Sequence, residues 1–212
     1  MPSSPALALR EAILDGLDPH LEEMGFRRRK PSFEWFRQPV PGVTHGIHLN
    51  FGPTRTSRLV IIPTVAAGIE AVERELAAAG LKGSARNGCS FSYQLHTLLE
   101  CEYVASTDEG AEPMVNRLVA DIRRHGLSRL ERLSSLETVA RLMLSAERKD
   151  WPVTFLSMRA RLVPLVLALL GRTQEAHVHL ARLRADVASN DQLRPGIDKF
   201  ATWFVGRFGQ AA

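Results

Sequence analysis

Histidines are the side chains in this sequence that most directly call for a search for a metal site. His45 and His48 lie three positions apart on a segment with strand periodicity, so we expect them to point to opposite faces and not to share an ion. His177 and His179 lie two positions apart on a segment with helical periodicity and do not face each other either. No acidic cluster supplies the oxygen ligands that magnesium or calcium needs. We therefore predict no metal ion and no cofactor.

A nucleophilic serine or cysteine would need a strained turn with flanking glycines. The stretches Gly83–Ala85 and Gly88–Ser90 each have a glycine on one side only, and no glycine-rich phosphate loop occurs. Cys89 and Cys101 lack the spacing of a zinc knuckle, and we expect both to stay reduced because a protein that is not exported rarely keeps a disulfide. These patterns predict a protein that is not an enzyme.

Basic and aromatic side chains stand next to each other between residues 27 and 36. The basic run Arg27–Lys30 could follow a phosphate backbone, and Phe33, Trp35 and Phe36 could stack on bases. Strand alternation, however, directs most of these rings into a protein core. Further along, polar residues at alternating positions are expected to line one exposed face of a sheet. The candidate binding surface consists of Arg27, Arg28, Arg37, Thr44, His48 and Asn50.

Hydrophobic periodicity predicts the elements that position these residues. Ser4 before Pro5 is typical of a helix N-cap, and Ser134 with Glu137 fits a capping box. Residues 58–65 are β-branched on both faces, which is typical of a strand covered on both sides or of an edge strand ending at Pro63. The predicted elements of the first half are a helix ending at Gly25, strands over Ser32–Gln38, Thr44–Phe51, Arg58–Val65 and roughly Glu100–Ala105, a helix from Ile69 to Gly80, a loop over Ser84–Gly88, and a helix capped by Thr107 or Asp108 that ends at Gly126. The predicted helices of the second half follow the capping box, cover Leu156–Leu170 and Gln174–Val187, and extend from Pro195 through Phe208.

These elements predict an α+β fold, in which a small antiparallel sheet with flanking helices is followed by a C-terminal antiparallel helical bundle. Short turns between the last helices favour antiparallel neighbours. We predict two domains, an α+β domain over residues 1–127 and a helical domain over residues 128–212.

Composition and charge narrow the classes of protein to consider. With 45% hydrophobic and 24% charged residues, the chain has an ordinary globular composition. Residues 1–10 lack the pattern of a secretory signal, and the apolar run Leu162–Leu170 is too short to cross a bilayer, so we expect a cytoplasmic protein with no membrane segment. The net charge of +4 is concentrated in residues 113–212, where basic residues outnumber acidic ones. Such basic helices commonly serve solubility, although they could also attract nucleic acid.

One family resemblance covers roughly residues 7–145. It is carried by Leu21–Arg28 (Leu-Glu-Glu-Met-Gly-Phe-Arg-Arg), by the strands Phe33–Phe36 and Ile47–Phe51, and by Asp121–Leu127 leading into Leu130–Glu137. In these features the chain resembles a family of small bacterial domains of unknown function that includes immunity-like proteins of polymorphic toxin systems. The resemblance implies that the protein binds and neutralises a protein partner, and it brings no catalytic residues with it.

A second resemblance concerns the C-terminal half. Leu169–Arg172, followed by Glu175, Ala176 and Leu180, is similar to the helix-turn-helix hairpin of tetratricopeptide-type repeats. Our first hypothesis is therefore a non-enzymatic protein-binding module, immunity-like in acting as an inhibitor of a bacterial toxin. The alternative is a nucleic-acid-associated protein that uses the basic C-terminal helices, and a third is an enzyme with an unrecognised site. The oligomeric state is left open.

Overall fold

The chain folds as an α+β protein, which confirms the predicted fold class. The structure is a computed structural model that describes residues 4–52, 57–81, 89–153, 156–187, 190 and 192–209. Contacts divide the chain into unit 1, residues 1–67 and 92–131, and unit 2, residues 68–91 and 132–212. This division is discontinuous because residues 68–91 group with the C-terminal helices, whereas the predicted division at residue 127 is sequential.

Most of an antiparallel sheet belongs to unit 1. Its strands run in the order β1 (Arg27–Arg28), β2 (Glu34–Val40), β3 (Val43–Phe51), β4 (Arg58–Ile69) and β5 (Phe91–Gln94), and β6 (Tyr103–Ser106) also pairs with β4. The predicted strand over residues 58–65 continues through Pro63 to Ile69 and lies inside the sheet, so the expectation of an edge strand is wrong. Burial on both faces holds from Val65 onward but not at Val60, which is 40% exposed.

The first helix forms as its sequence predicts. α1 (Pro5–Glu23) begins at Ser4, whose Oγ accepts a hydrogen bond from the Leu7 backbone N (3.3 Å). It ends just before Gly25, which adopts a φ of +82° that glycine tolerates best. Its buried stripe consists of Ala6, Leu9, Ile13, Leu14, Leu17 and Leu21.

The helix after β6 begins later than predicted. α4 (Glu112–Asp121) has Ala111 at its N-cap, so the expected caps Thr107 and Asp108 are wrong. Pro113 in the first turn suits the start of a helix because its φ is already helical. α4 continues through a π-helical turn (Ile122–Gly126) into α5 (Leu127–Arg132), where the sequence predicts an end at Gly126.

Residues 90–106 are the part of the first half that the sequence predicts least well. The strand expected over Glu100–Ala105 is found as β6, but β5 and the short helix α3 (Leu95–Leu98) are missed. A four-residue strand that runs directly into a four-residue helix leaves too few residues for either period to show. The predicted loop Ser84–Gly88 and the stretch Gly83–Ala85 lie outside the described residues.

Unit 2 contains the C-terminal helices that the sequence predicts. Its elements are α2 (Glu70–Ala78), α6 (Leu136–Leu144), a 3-10 turn (Arg148–Asp150), α7 (Leu156–Leu169), α8 (Thr173–Asp186) and α9 (Arg194–Phe208). The N-cap of α6 is Ser135, whose Oγ accepts from Thr138 N (3.4 Å), so the capping box predicted at Ser134 is wrong by one residue. Among the described residues no helix is both long and apolar enough to cross a membrane.

Candidate functional site

One face of the sheet in unit 1 leaves its side chains accessible. Glu34 of β2 lies directly opposite His48 of β3, and Val60 of β4 lies opposite Val104 of β6. Val60 also sits beside Gly52, since a Cβ placed on Gly52 would lie 3.2 Å from the Val60 Cβ. Directly opposed residues share a face, and Gly52 and His48 lie on the same face of β3, so all of these side chains belong to one face of the sheet. We call this the open face, formed by Arg27, Glu34, Phe36, Thr44, His48, Asn50, Arg58, Val60, Val104 and Ser106.

The other face carries two residues that the sequence assigns to the candidate surface. Arg28 lies opposite Trp35, and Arg37 lies opposite His45. Trp35 and His45 are both completely buried, so Arg28 and Arg37 belong to the covered face. The structure therefore corrects the expected placement of these two arginines, because alternation along β1 and β2 decides their side.

Arg28 holds the covered face of the sheet to α1. Its Nη1 lies 3.2 Å from carboxylate oxygens of both Asp15 and Asp18, and its Cζ lies 5.6 Å from the centre of the Trp35 ring. The Trp35 indole Nε1 donates to Asp18 Oδ1 at 2.7 Å. Asp18 thus satisfies a buried donor and an almost buried cation together, which makes Arg28 a structural residue rather than a contact for a ligand.

Arg37 is held in a similar way. Its guanidinium lies over the Phe26 ring, with Cζ 4.6 Å from the ring centre, and its Nη1 donates to the Met24 carbonyl at 3.0 Å. Its Nε donates to Nδ1 of the buried His45 at 3.4 Å. Because Nδ1 of His45 accepts this bond, the imidazole is in its neutral form.

Protonation of His45 is expected to destabilise the fold. Burial, helped by the charge of Arg37 and opposed by a hydrogen bond to the Leu130 backbone, lowers the pKa of His45 to about 4. Since the unfolded chain takes up this proton near pH 6.5, the stabilisation is complete above that pH and is lost as the pH falls toward 4. We expect the free energy of unfolding of wild type to fall more between pH 7 and pH 5 than that of His45→Gln. Equal falls in a denaturant titration of both proteins would contradict this.

His48 is ordered on the open face by three neighbours. Its Nδ1–H donates to Glu34 Oε1 at 3.1 Å, and its ring meets Phe36 edge to face with centres 5.5 Å apart. Gly46 makes room for the ring, because a Cβ there would lie 2.6 Å from His48 Nε2. Burial lowers the pKa of His48, and its hydrogen bond to Glu34 partly offsets this effect. The imidazole of His48 is therefore neutral at physiological pH and is fixed by its contacts, and we call His48 with Glu34, Phe36 and Gly46 the platform.

The open face also carries apolar and basic side chains on other strands. Val60 is 40% exposed and Val104 is half-buried, so the β4 and β6 part of the face presents branched apolar groups. Arg27 and Arg58 are exposed at the β1 end and at the start of β4. An aromatic and aliphatic centre beside arginines is the composition that protein interfaces favour.

A cleft of about 640 Å³ lies at the edge of unit 1 beside β1. It is lined by Asp18 and Glu22 of α1 together with residues 25–28 and Lys30. Arg28 and Asp18 already neutralise each other in its wall. The cleft thus lies beside the exposed Arg27 of the open face.

The structure also places the histidines and cysteines that the sequence analysis considers as metal ligands. In the described part of the chain, no group of three His, Cys, Asp or Glu side chains is arranged to hold a metal ion. His45 lies on the covered face and His48 on the open face, as strand alternation predicts. Cys89 and Cys101 both remain thiols.

The surface predicted from the sequence lacks six residues of the open face, namely Glu34, Phe36, Arg58, Val60, Val104 and Ser106. The side of Glu34 and Phe36 follows from the alternation along β2, because both point to the face of the sheet that Trp35 does not occupy. The sequence contains this signal. Val60 and Val104 are indistinguishable from core residues by type, and only the pairing of β4 with β6 shows their side.

Comparison of the chain with protein-family models, with curated proteins and with solved structures finds no match.

Proposed function

We propose that the protein is a non-enzymatic protein-binding module that docks a protein partner on the open face of its sheet. The observation that carries this proposal is the coexistence on one face of Phe36, Val60 and Val104 with the exposed Arg27 and Arg58. Covering apolar groups of this kind gains roughly 25 cal/mol per Å² removed from water. A partner that covers the open face would be stabilised by this burial of apolar surface, and the arginines would orient it by pairing with its acidic groups.

The rigidity of the face favours binding as well. The side chain of His48 is 11% exposed and already hydrogen-bonded to Glu34, so little side-chain freedom remains to be lost when a partner arrives. The surrounding strands hold Phe36 and Val60 at fixed spacing. A preformed surface of this kind can block the partner sterically, which is what an inhibitor requires.

The finer form of the proposal is an immunity-like inhibitor that acts in the bacterial cytoplasm on a toxin. The support for it is the sequence resemblance together with a docking face that is built from strands and contains its own aromatic centre. In this form the partner covers Phe36 and Val60 and lies against Arg27, and its inhibition comes from occupation of its surface rather than from chemistry. A partner with carboxylates opposite Arg27 and Arg58 would match the charges of the face.

The docking face is tested by capture from a lysate of the source organism with tagged wild type, Val60→Lys and Leu7→Lys. Leu7 is 39% exposed on α1, away from the open face, and is therefore a matched control for Val60 at 40%. We expect wild type and Leu7→Lys to recover the same stoichiometric protein at low and at high salt. Val60→Lys is expected to recover about tenfold less, since truncated or charged hot spots typically lose 1–2 kcal/mol or more.

Two outcomes would contradict the proposal. Equal recovery by Val60→Lys and wild type, with unchanged melting temperatures, would show that the partner binds elsewhere. Recovery of nucleic acid that is lost at high salt would favour the basic helices instead, because phosphate contacts weaken steeply with salt.

A further inference from the structure

β6 lies at an edge of the sheet in unit 1. It pairs with β4 on one side, and among the described residues no strand pairs with its other side. α4 packs against β6 from the covered face, where the Tyr103 hydroxyl donates to Asp121 Oδ2 at 2.8 Å. Val104 and Ser106 point to the open face instead, and both are only half-buried. In the described part of the chain, the outer edge of β6 is thus without a partner strand.

One backbone hydrogen bond shows which groups of β6 face β4. The Thr107 N–H donates to the Ser57 carbonyl at 3.1 Å, in the register that β6 and β4 share. In an antiparallel ladder every second residue makes both of its backbone bonds to the partner strand. Tyr103 and Ala105 stand four and two positions before Thr107, so their N–H and C=O groups face β4.

Val104 and Ser106 therefore direct their backbone groups away from β4. As this alternation requires, the carbonyl of Val60, the residue opposite Val104, faces β3 and accepts from Gly52 N at 2.9 Å. The Ser106 carbonyl accepts from Glu109 N at 3.3 Å, whereas the N–H of Ser106 and both groups of Val104 bond to no described residue. Unpaired N–H and C=O groups along an edge form a template on which another strand can pair.

Exposed carboxylates stand at both ends of β6. Glu100 and Glu102 precede the strand, and Asp108 and Glu109 follow it. In the part of the chain that the structure describes, none of these four carboxylates forms an ion pair. The strand between them, Tyr-Val-Ala-Ser, is uncharged.

The cations beside β6 do not neutralise this charge. Arg117 of α4 is the one basic residue between positions 99 and 121. Its Cζ lies 4.7 Å from the centre of the Tyr103 ring and its Nε 3.9 Å from Asp121 Oδ2, so Arg117 is balanced on the covered face. Arg58 lies opposite the last residue of β6, and the exposed Glu112 at the start of α4 offsets its charge. The edge of β6 therefore keeps the negative charge of the four carboxylates.

We infer that the outer edge of β6 docks an extended segment of a partner protein, with basic side chains on both sides of an uncharged centre. The centre adds one strand to the sheet and bonds to the N–H and C=O of Val104 and to the N–H of Ser106. β6 spans about 13 Å, so basic residues on either side of a short centre reach the carboxylates at both ends. In such strand addition the main-chain bonds give affinity and the side chains give specificity. The site goes beyond the proposed function, because it uses the backbone edge of the sheet and needs no contact with the open face.

The site is tested with two synthetic peptides and the isotope-labelled full chain. The probe is acetylated and amidated Lys-Lys-Val-Thr-Val-Lys-Lys, and the control peptide has glutamate in place of each lysine. NMR measures the hydrogen exchange of the backbone amides with and without up to about 1 mM peptide. Without peptide, the amides of Val104 and Ser106 are expected to exchange faster than those of Tyr103 and Ala105, which bond to β4.

The lysine peptide is expected to slow the exchange at Val104 and Ser106. It should also bind at least about tenfold more tightly than the glutamate peptide, because its charges complement those of the edge. Equal slowing by both peptides, or no slowing by the lysine peptide, would overturn the site. In the second case the carboxylates would only guard the edge against pairing.

Charge reversal tests the role of the carboxylates. Glu102→Lys combined with Glu109→Lys is expected to reverse the preference between the two peptides, because it changes the charge at both ends of β6. Glu22→Lys combined with Glu70→Lys is the matched control, since both carboxylates are exposed and neither lies next to β6 in the chain. The control protein should keep the preference of wild type. An unchanged preference in the Glu102 and Glu109 variant would overturn the basic partner.

Val104→Pro tests the main-chain bonds. The substitution removes an N–H that faces away from β4, and an edge strand tolerates proline at such a position. We expect the lysine peptide to bind Val104→Pro at least about tenfold more weakly than wild type, while the melting temperature changes by only a few degrees. Unchanged binding of the lysine peptide to a folded Val104→Pro protein would contradict strand addition.

Discussion

Replacing Trp35 by alanine is expected to lower the free energy of unfolding by about 4 kcal/mol, the range for truncating a large buried aromatic side chain. Trp35 is completely buried on the covered face, and its removal also leaves Asp18 without the indole donor at 2.7 Å. Arg28 loses the ring that it stacks on. Urea or guanidinium titration followed by circular dichroism measures the effect.

Phe36→Ala is the matched control for this prediction, since Phe36 is the next residue but lies on the open face and is half-buried. We expect Phe36→Ala to lower the free energy of unfolding by about 1 kcal/mol. The substitution removes less buried apolar surface than Trp35→Ala does, and it breaks no buried hydrogen bond. If Phe36→Ala destabilised the protein as much as Trp35→Ala, the assignment of open and covered faces would be wrong.

The second large effect is expected at the ion pair between α2 and α9 in unit 2. Arg207→Ala should lower the free energy of unfolding by about 2–3 kcal/mol, because it leaves Glu75 buried and unpaired. Arg207 holds both Glu75 oxygens at 2.9 Å, and the Glu75 side chain is 4% exposed whereas that of Arg207 is 56% exposed. Glu75→Gln should lower the free energy of unfolding by less, about 1 kcal/mol, because the exposed Arg207 guanidinium stays hydrated without a carboxylate partner. Thermal and denaturant unfolding measure both.

The pH dependence of this pair has a definite sign. The hydrogen bond from Arg207 lowers the pKa of Glu75 below its ordinary value of 4.5, so the stabilisation is present above that pH and is lost as the pH falls through the lower value. The difference between wild type and Arg207→Ala should therefore be full at neutral pH and shrink in acid. Arg184→Ala, which removes the exposed pair with Asp198, should change stability by less than about 0.5 kcal/mol. A large effect there, or none at Arg207, would contradict this account.

Long periodic segments explain why much of the fold is predictable from the sequence. α1, β3, α7 and α8 each repeat one period for nine residues or more, so their existence and approximate ends follow from apolar spacing alone. β5 and α3 have four residues each and leave no such pattern. The cap at Ala111 has no side-chain signal, because the start of α4 is set by Pro113 and by packing rather than by a capping oxygen.

Some residues of the candidate site could also be placed from the sequence, and others could not. Thr44, His48 and Asn50 lie on the open face because the alternation of β3 is unbroken. Arg37 was expected beside them on account of its charge, but alternation places it with Trp35, and a guanidinium can be buried flat against a ring such as that of Phe26. Charge alone is thus a poorer guide to exposure in a strand than position.

The rest of the open face depends on pairing between strands that are distant in the sequence. Val60 and Val104 are far apart in the sequence, and nothing in either local pattern shows that they meet. Their meeting turns two core-like residues into the apolar part of an accessible surface.

The most direct test of the open face as a docking surface is the affinity of the captured and purified partner for Phe36→Ala compared with wild type, measured by calorimetry. We expect the dissociation constant to rise at least about tenfold while the melting temperature falls by only a few degrees, because Phe36 is the aromatic side chain of the open face and is only half-buried. An unchanged dissociation constant in a folded Phe36→Ala protein would show that the partner does not dock on the open face.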